Sequence, residues 1–186
     1  CKKDDDVAAG GPPMISKVYT PTDRSTGLST GELNQWLIIS GSNLAATQTV
    51  QFNDVTVEQE DIFANDTSVT VRVPRQIPGN VNNMITVTTP GGSATFNFEV
   101  IIPQLKVSGM KNEYVKAGDT LEIVGDYFDL YELDTTLTTV SFTGGSTVNV
   151  VASGATSLKV IVPQDAQPGP LEIKGPAPLN QQVTTS

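Results

Sequence analysis

Apolar residues along this chain recur at every second position over short runs. Leu37 and Ile39 alternate up to Gly41, Val50 and Phe52 follow, and Val69, Val71 and Val73 lead to Pro74. After the turn signal Pro78-Gly79, Ile85 and Val87 make the next run. Pro90-Gly91-Gly92 turns again, and Ala94, Phe96, Phe98 and Val100 alternate to the end. A period of two puts alternate side chains on opposite faces of a strand, and turn signals every ~8–12 residues are the mark of a β-sandwich. No comparably long stretch carries the repeat of an amphipathic helix.

The pattern then repeats. Leu121 and Ile123 lead to Gly125, Val140 and Phe142 follow, and Leu158, Val160 and Val162 lead to Pro163. Leu171 and Ile173 continue after Pro168-Gly169. Phe52 and Phe142, Pro78 and Pro168, and Pro13 and Pro103 share one sequence offset. Three landmarks at one offset indicate two tandem copies of one unit. The pattern predicts an all-β chain: a tether over residues 1–12, a first sandwich over 13–101 and a second over 102–186. The tether, with Lys2-Lys-Asp-Asp-Asp6 followed by Ala8-Ala-Gly-Gly-Pro-Pro13, offers little apolar surface to bury and reads as flexible.

Charge narrows the function. The 186 residues include 20 acidic and 11 basic side chains, a net charge of −9. That opposes nucleic-acid binding, which neutralises phosphates with Lys and Arg, and it opposes a polybasic membrane contact. The absence of histidine removes Ser-His and Cys-His catalysis and the commonest zinc ligand. No Walker A, G-x-S-x-G, C-x-x-C or H-E-x-x-H pattern is present. No catalytic residue, cofactor or metal is therefore assigned, and no internal disulfide can form.

The single cysteine stands first, at Cys1. One reading is a lipidated terminus: a signal segment removed and the new terminal cysteine acylated on sulfur and nitrogen. Stable anchoring takes more than one chain, since each buried methylene contributes about 0.8 kcal/mol, and a triacylated cysteine meets that need. The other reading is an arbitrary boundary that falls on cysteine. No apolar run is long enough for a transmembrane helix, so membrane attachment is expected through Cys1.

Three groups of residues carry a resemblance. Pro13-x-Ile15-x-x-Val18-x-x-Pro21, Leu37-Ile-Ile-Ser-Gly41-Ser-Asn-Leu44, Val50-Gln-Phe52, Val69-Thr-Val-Arg-Val-Pro74 and Thr89-Pro-Gly-Gly92 resemble the IPT/TIG family of immunoglobulin-like domains. The second copy keeps Leu121-Glu-Ile-Val-Gly125-Asp-Tyr-Phe128, Val140-Ser-Phe142 and Leu158-Lys-Val-Ile-Val-Pro163; its end, Asn180-Gln-Gln-Val-Thr-Thr-Ser186, lacks the alternation of Phe96–Val100. The opening resembles mature surface lipoproteins of Bacteroidetes-type bacteria, with Lys3, Asp4 and Asp5 as the export signal to the outer face. Together these look like a non-catalytic surface glycan-binding lipoprotein of a starch-utilisation-like system. The resemblance implies lipid anchoring in the outer membrane and partnership with a transporter and its lid-like binding lipoprotein. It also implies that these domains are the stalk and docking part, with the main polysaccharide site in a domain beyond residue 186. The stalk of a surface glycoside hydrolase and a structural or adhesive array are the alternatives.

Two places stand out as contact candidates. Alternation puts Trp36, the only tryptophan, and Ile38 on the outer face of the strand that sends Leu37 and Ile39 inward. The pair reads as a partner surface or sugar platform, unless a bulge in the longer segment Glu32–Gln35 turns Trp36 inward. The stretch from Gly125 to Phe142 is six residues longer than its counterpart and holds Tyr127, Tyr131, Glu132 and Asp134. It reads as a packed and solvated loop, a glycan or protein contact, or a calcium loop without EF-hand order. The exposed-aromatic candidates fall on different elements, so no aromatic cluster is expected on one face.

Overall fold

The computed structural model describes residues 11–112 and 114–176 and the backbone of Val183–Thr185. Cys1, Lys3, Asp4 and Asp5 lie outside the described residues. Two compact units meet in sequence between Ile102 and Pro103.

The first unit contains β1 (Met14–Tyr19), β2 (Thr30–Glu32), β3 (Trp36–Ser42), β4 (Thr49–Phe52), β5 (Val55–Thr56), β6 (Ile62–Asn65), β7 (Ser68–Arg72), β8 (Met84–Thr89), β9 (Gly92–Asn97) and β10 (Glu99–Ile101). One four-stranded sheet runs β1-β3-β7-β6 and the other β5-β4-β8-β9. Inward side chains of both, including Val18, Leu37, Ile39, Val50, Phe52, Val69, Val71, Ile85 and Val87, form one buried cluster. The alternation that ends at Val100 does not make one strand. Its first part, β9, pairs with β8, whereas β10 leaves that sheet and runs parallel to β2. Phe98 sits at the break, its ring buried edge-on against Phe52 at 6.0 Å between centroids.

The second unit contains β11 (Lys106–Met110), β12 (Thr120–Asp126), β13 (Thr139–Ser141), β14 (Thr147–Asn149), β15 (Ala152–Ser153), β16 (Ser157–Ile161), β17 (Leu171–Lys174) and β18 (Val183–Thr185). Its sheets run β11-β12-β16-β15 and β14-β13-β17-β18, the same order strand for strand. Leu121, Ile123, Phe128, Val140, Phe142, Leu158, Val160 and Ile173 are its buried side chains. Although residues 180–186 lack apolar alternation, the backbone of β18 pairs with β17, Ile173 opposite Val183. Backbone ladders do not need an apolar pattern, only a free edge.

Gly41 and Gly125 look in sequence like strand terminators, yet β3 and β12 run through them. In each unit the first strand bulges, between Ile15 and Lys17 and between Val107 and Gly109. The bulge drives the carbonyl oxygen of Met14 onto Gly41 and that of Lys106 onto Gly125, into the space a Cβ would occupy. Glycine is required here by a backbone approach, not by a turn.

Candidate functional site

The outer face of the sheet β1-β3-β7-β6 carries the candidate site. Asn34 takes a left-handed conformation (φ 65), and the Gln35 side-chain oxygen accepts the Glu32 N–H at 2.8 Å. Asn34 N–H donates to the Val73 carbonyl, and Val73 N–H donates to the Gln35 carbonyl, both at 2.9 Å. The same bonds recur before β12, where Gly118 N–H donates to the Val162 carbonyl and Val162 N–H to the Asp119 carbonyl. The segment before β3 is thus an ordinary turn without a bulge, and register is regular from Trp36 onward: Trp36 faces Arg72 and Leu37 faces Val71. Trp36 therefore points outward, 37% exposed. Ile38 lies on the same face but is only 6% exposed. It stands mid-row in Tyr19–Ile38–Thr70–Phe63, flanked on both strands. The expectation of an open Trp36–Ile38 pair is thereby corrected.

Phe63 takes the place that alternation had given Ile38. It is 59% exposed, and its ring lies 6.1 Å from that of Trp36 between centroids, tilted by 39°. An aromatic cluster does exist on one face, contrary to the sequence expectation. The Arg72 guanidinium sits 5.6 Å from the Trp36 ring centroid. Its Nη2 and Nε donate to Asp61 Oδ2 at 2.6 and 2.8 Å. The pair is half-buried, and a cation over a partly exposed ring contributes about 0.5–1 kcal/mol. The consequence is positional: Asp61 pins the guanidinium over one face of the indole and leaves the other for a ligand to stack on. At the strand end an open cleft of about 270 Å³ adjoins this pair, with Asn34, Glu58, Asp61, Arg72, Arg75 and Gln76 along its walls.

The inserted loop of the second unit closes on itself. Leu133 N–H donates to the Phe128 carbonyl at 2.9 Å and Glu132 N–H to the Asp129 carbonyl at 3.1 Å, with Glu132 left-handed at φ 55. This is the Schellman pattern, with Phe128 and Leu133 as its apolar pair. It turns Leu130, Tyr131 and Leu133 inward. Tyr131 is 7% exposed, and its hydroxyl donates to the Pro103 carbonyl at 2.9 Å. Its ring face is packed rather than offered to a ligand, which corrects the expectation of an accessible contact. Asp134 Oδ1 accepts the N–H groups of Thr136 and Leu137, both at 2.8 Å. Tyr127 stays 40% exposed, in a left-handed conformation at φ 67. Among the described residues no group of three or more His, Cys, Asp or Glu could hold a metal ion.

Trp36 belongs to the first unit and Tyr127 and Tyr131 to the second; within its own unit Trp36 is joined to Phe63, Arg72 and Asp61. Sequence reasoning missed those three. Phe63 follows buried Ile62 in a short run with no clear alternation, and only the register of β6 on β7 brings it beside Trp36.

Residues 13–100 match the family model of the IPT/TIG domain. An IPT/TIG domain-containing protein of Bacteroides ovatus is 26% identical over 136 residues, which is 69% of this chain and 27% of that protein. The chain thus spans about a quarter of the length of that relative. Among solved structures, a surface glycan-binding protein from Prevotella bryantii is 22% identical. It superposes with a TM-score of 0.48 over 89% of this chain and 40% of its own. A gamma-CGTase from alkalophilic Bacillus clarkii is 17% identical with a TM-score of 0.39, over 89% of this chain and 23% of its own.

Proposed function

We propose that this chain, whose first sandwich is an IPT/TIG domain, is the membrane-proximal part of a non-catalytic, cell-surface glycan-binding lipoprotein. It is anchored in the outer membrane through acylated Cys1, with Lys3, Asp4 and Asp5 as its export signal. It serves as stalk and docking part beside a transporter and its lid-like lipoprotein, and the main polysaccharide site lies in another domain.

The observation that carries this reading is the outer face of the first unit. Exposed rings beside a fixed polar pair make a surface suited to holding a ligand or partner. The Bacteroides ovatus relative, of which this chain matches 27%, has room for a further glycan-binding domain. The lipid anchor is supported by the opening residues alone.

The test uses native protein extracted from membranes. Intact mass should show acyl additions, protease on whole cells should remove the domains, and polysaccharide gels should retard the full-length protein. An unmodified Cys1 ends the anchored reading, and unretarded full-length protein ends the glycan reading.

A further inference from the structure

The second unit is an internal control for the face that carries Trp36. Leu37 faces Val71 in one unit and Leu121 faces Val160 in the other. On that register Thr120 stands where the first unit has Trp36, Glu122 replaces Ile38, Ile161 replaces Arg72, and Ala152 replaces Phe63. The same sheet therefore forms with neither ring nor guanidinium at these places. Trp36, Phe63 and Arg72 answer no demand of the architecture, and exposed apolar rings set side by side mark a contact site.

Size and charge narrow the ligand. The next row across the sheet is polar, Lys17–Ser40–Ser68–Asn65, so the apolar patch stops at Trp36, Phe63 and the partly exposed Tyr19 at the far end of the Ile38 row. A docked protein would cover about 800 Å² on each side, most of it beyond these rings. A sugar ring needs less: an apolar C–H face for the aromatic faces, and donors and acceptors for its rim of hydroxyls. Arg72 presents donors only and Asp61 acceptors only, whereas a hydroxyl is both and satisfies either. Because Asp61 already neutralises Arg72, an uncharged sugar fits better than an acidic one.

We infer that this face is an accessory carbohydrate subsite. A neutral pyranose stacks on the Trp36–Phe63 pair, its hydroxyls meeting Arg72, Asp61 and the Asn34 and Gln76 amides of the adjoining cleft. The inference rests on the glycan-binding reading and adds to it a second site.

Trp36 is the chain's only tryptophan, so its fluorescence reports this face alone. The 186-residue chain is titrated with cellohexaose, maltohexaose and mannohexaose, with oligogalacturonate as the acidic comparison. The expected result is a saturable change of emission with at least one neutral oligosaccharide and a weaker response to oligogalacturonate. Phe63→Ala should weaken binding about tenfold, the scale of truncating one central contact, at unchanged Tm. No saturable change with any of the three overturns the inference, and so does undiminished affinity in Phe63→Ala. An emission change seen only with purified transporter complex makes the face a protein contact and also overturns it. Full-length native protein run in polysaccharide gels separates the two failures. If it is retarded while this chain gives no response, only the accessory site falls; if neither responds, the glycan reading falls too.

Discussion

The two units answer one geometrical demand with different residues, most clearly after the central strands β3 and β12. In the first, Gly41-Ser-Asn-Leu44 ends with Asn43 left-handed (φ 59) and Leu44 buried. In the second, Gly125-Asp-Tyr-Phe128 ends with Tyr127 left-handed (φ 67) and Phe128 buried. The hydrogen bonds match as well: Gly41 and Leu44 donate to Thr67 and Asp66, and Gly125 and Phe128 donate to Thr156 and Ala155. Asparagine tolerates this conformation, whereas tyrosine is strained in it. All the described non-glycine residues with positive φ in the first unit are asparagines; in the second they are Tyr127 and Glu132. The second unit thus holds its inserted loop against backbone strain, offset by packing Phe128, Leu130, Tyr131 and Leu133. The first follows its conformational preferences in its turns and carries its unusual feature on an exposed face.

The largest expected effects lie where the units agree. Phe52→Ala and Phe142→Ala should each cost about 3–5 kcal/mol, because each deletes a buried ring. Calorimetry should show each substitution lowering the transition of its own unit. If one substitution lowers both transitions together, the units are not independently folded. The next effect bears on the difference between them. Tyr127→Asn should raise the stability of the second unit by about 0.5–1 kcal/mol by relieving the left-handed strain. Asn43→Tyr should lower that of the first by at least as much, since it also removes the 3.0 Å bond from the Asn43 amide to the Pro12 carbonyl. Equal and negligible effects in denaturant unfolding would abolish the distinction.

The smallest effect is a pH dependence that both units share. The Ser25 hydroxyl and N–H, with help from Thr26, hold the Asp23 carboxyl down at about 2, and Ser146 lowers Asp165 in the same way. A carboxylate depressed in the folded state stabilises it above the unfolded value, and that contribution is lost as pH falls through the folded one. For Asp23 the window runs from the ordinary 3.8 down to about 2. Both groups are fully exposed, so local ordering rather than global stability should respond. Carboxyl titration by NMR should place both below ordinary aspartate, and Ser25→Ala and Ser146→Ala should return them toward it.

Much of the fold was legible because a sandwich core is written in a period of two. Leu37, Ile39, Val50, Phe52, Val69, Val71, Ile85 and Val87, and their counterparts from Leu121 to Ile173, are buried where alternation put them. Burial of alternate side chains depends only on local strand geometry, which a linear pattern encodes. Repeat spacing likewise disclosed the two copies, and composition alone removed histidine chemistry from these residues. Tertiary structure decided the rest. Which outward residues stay open depends on neighbours across strands: Ile38 is covered by its row, and Phe63 reaches Trp36 only through the register of β6 on β7 and β7 on β3. Whether the inserted loop showed its rings or buried them depended on a turn that closes through Glu132. Local alternation sets which side of a strand a residue takes; only pairing and loop closure set what covers it there.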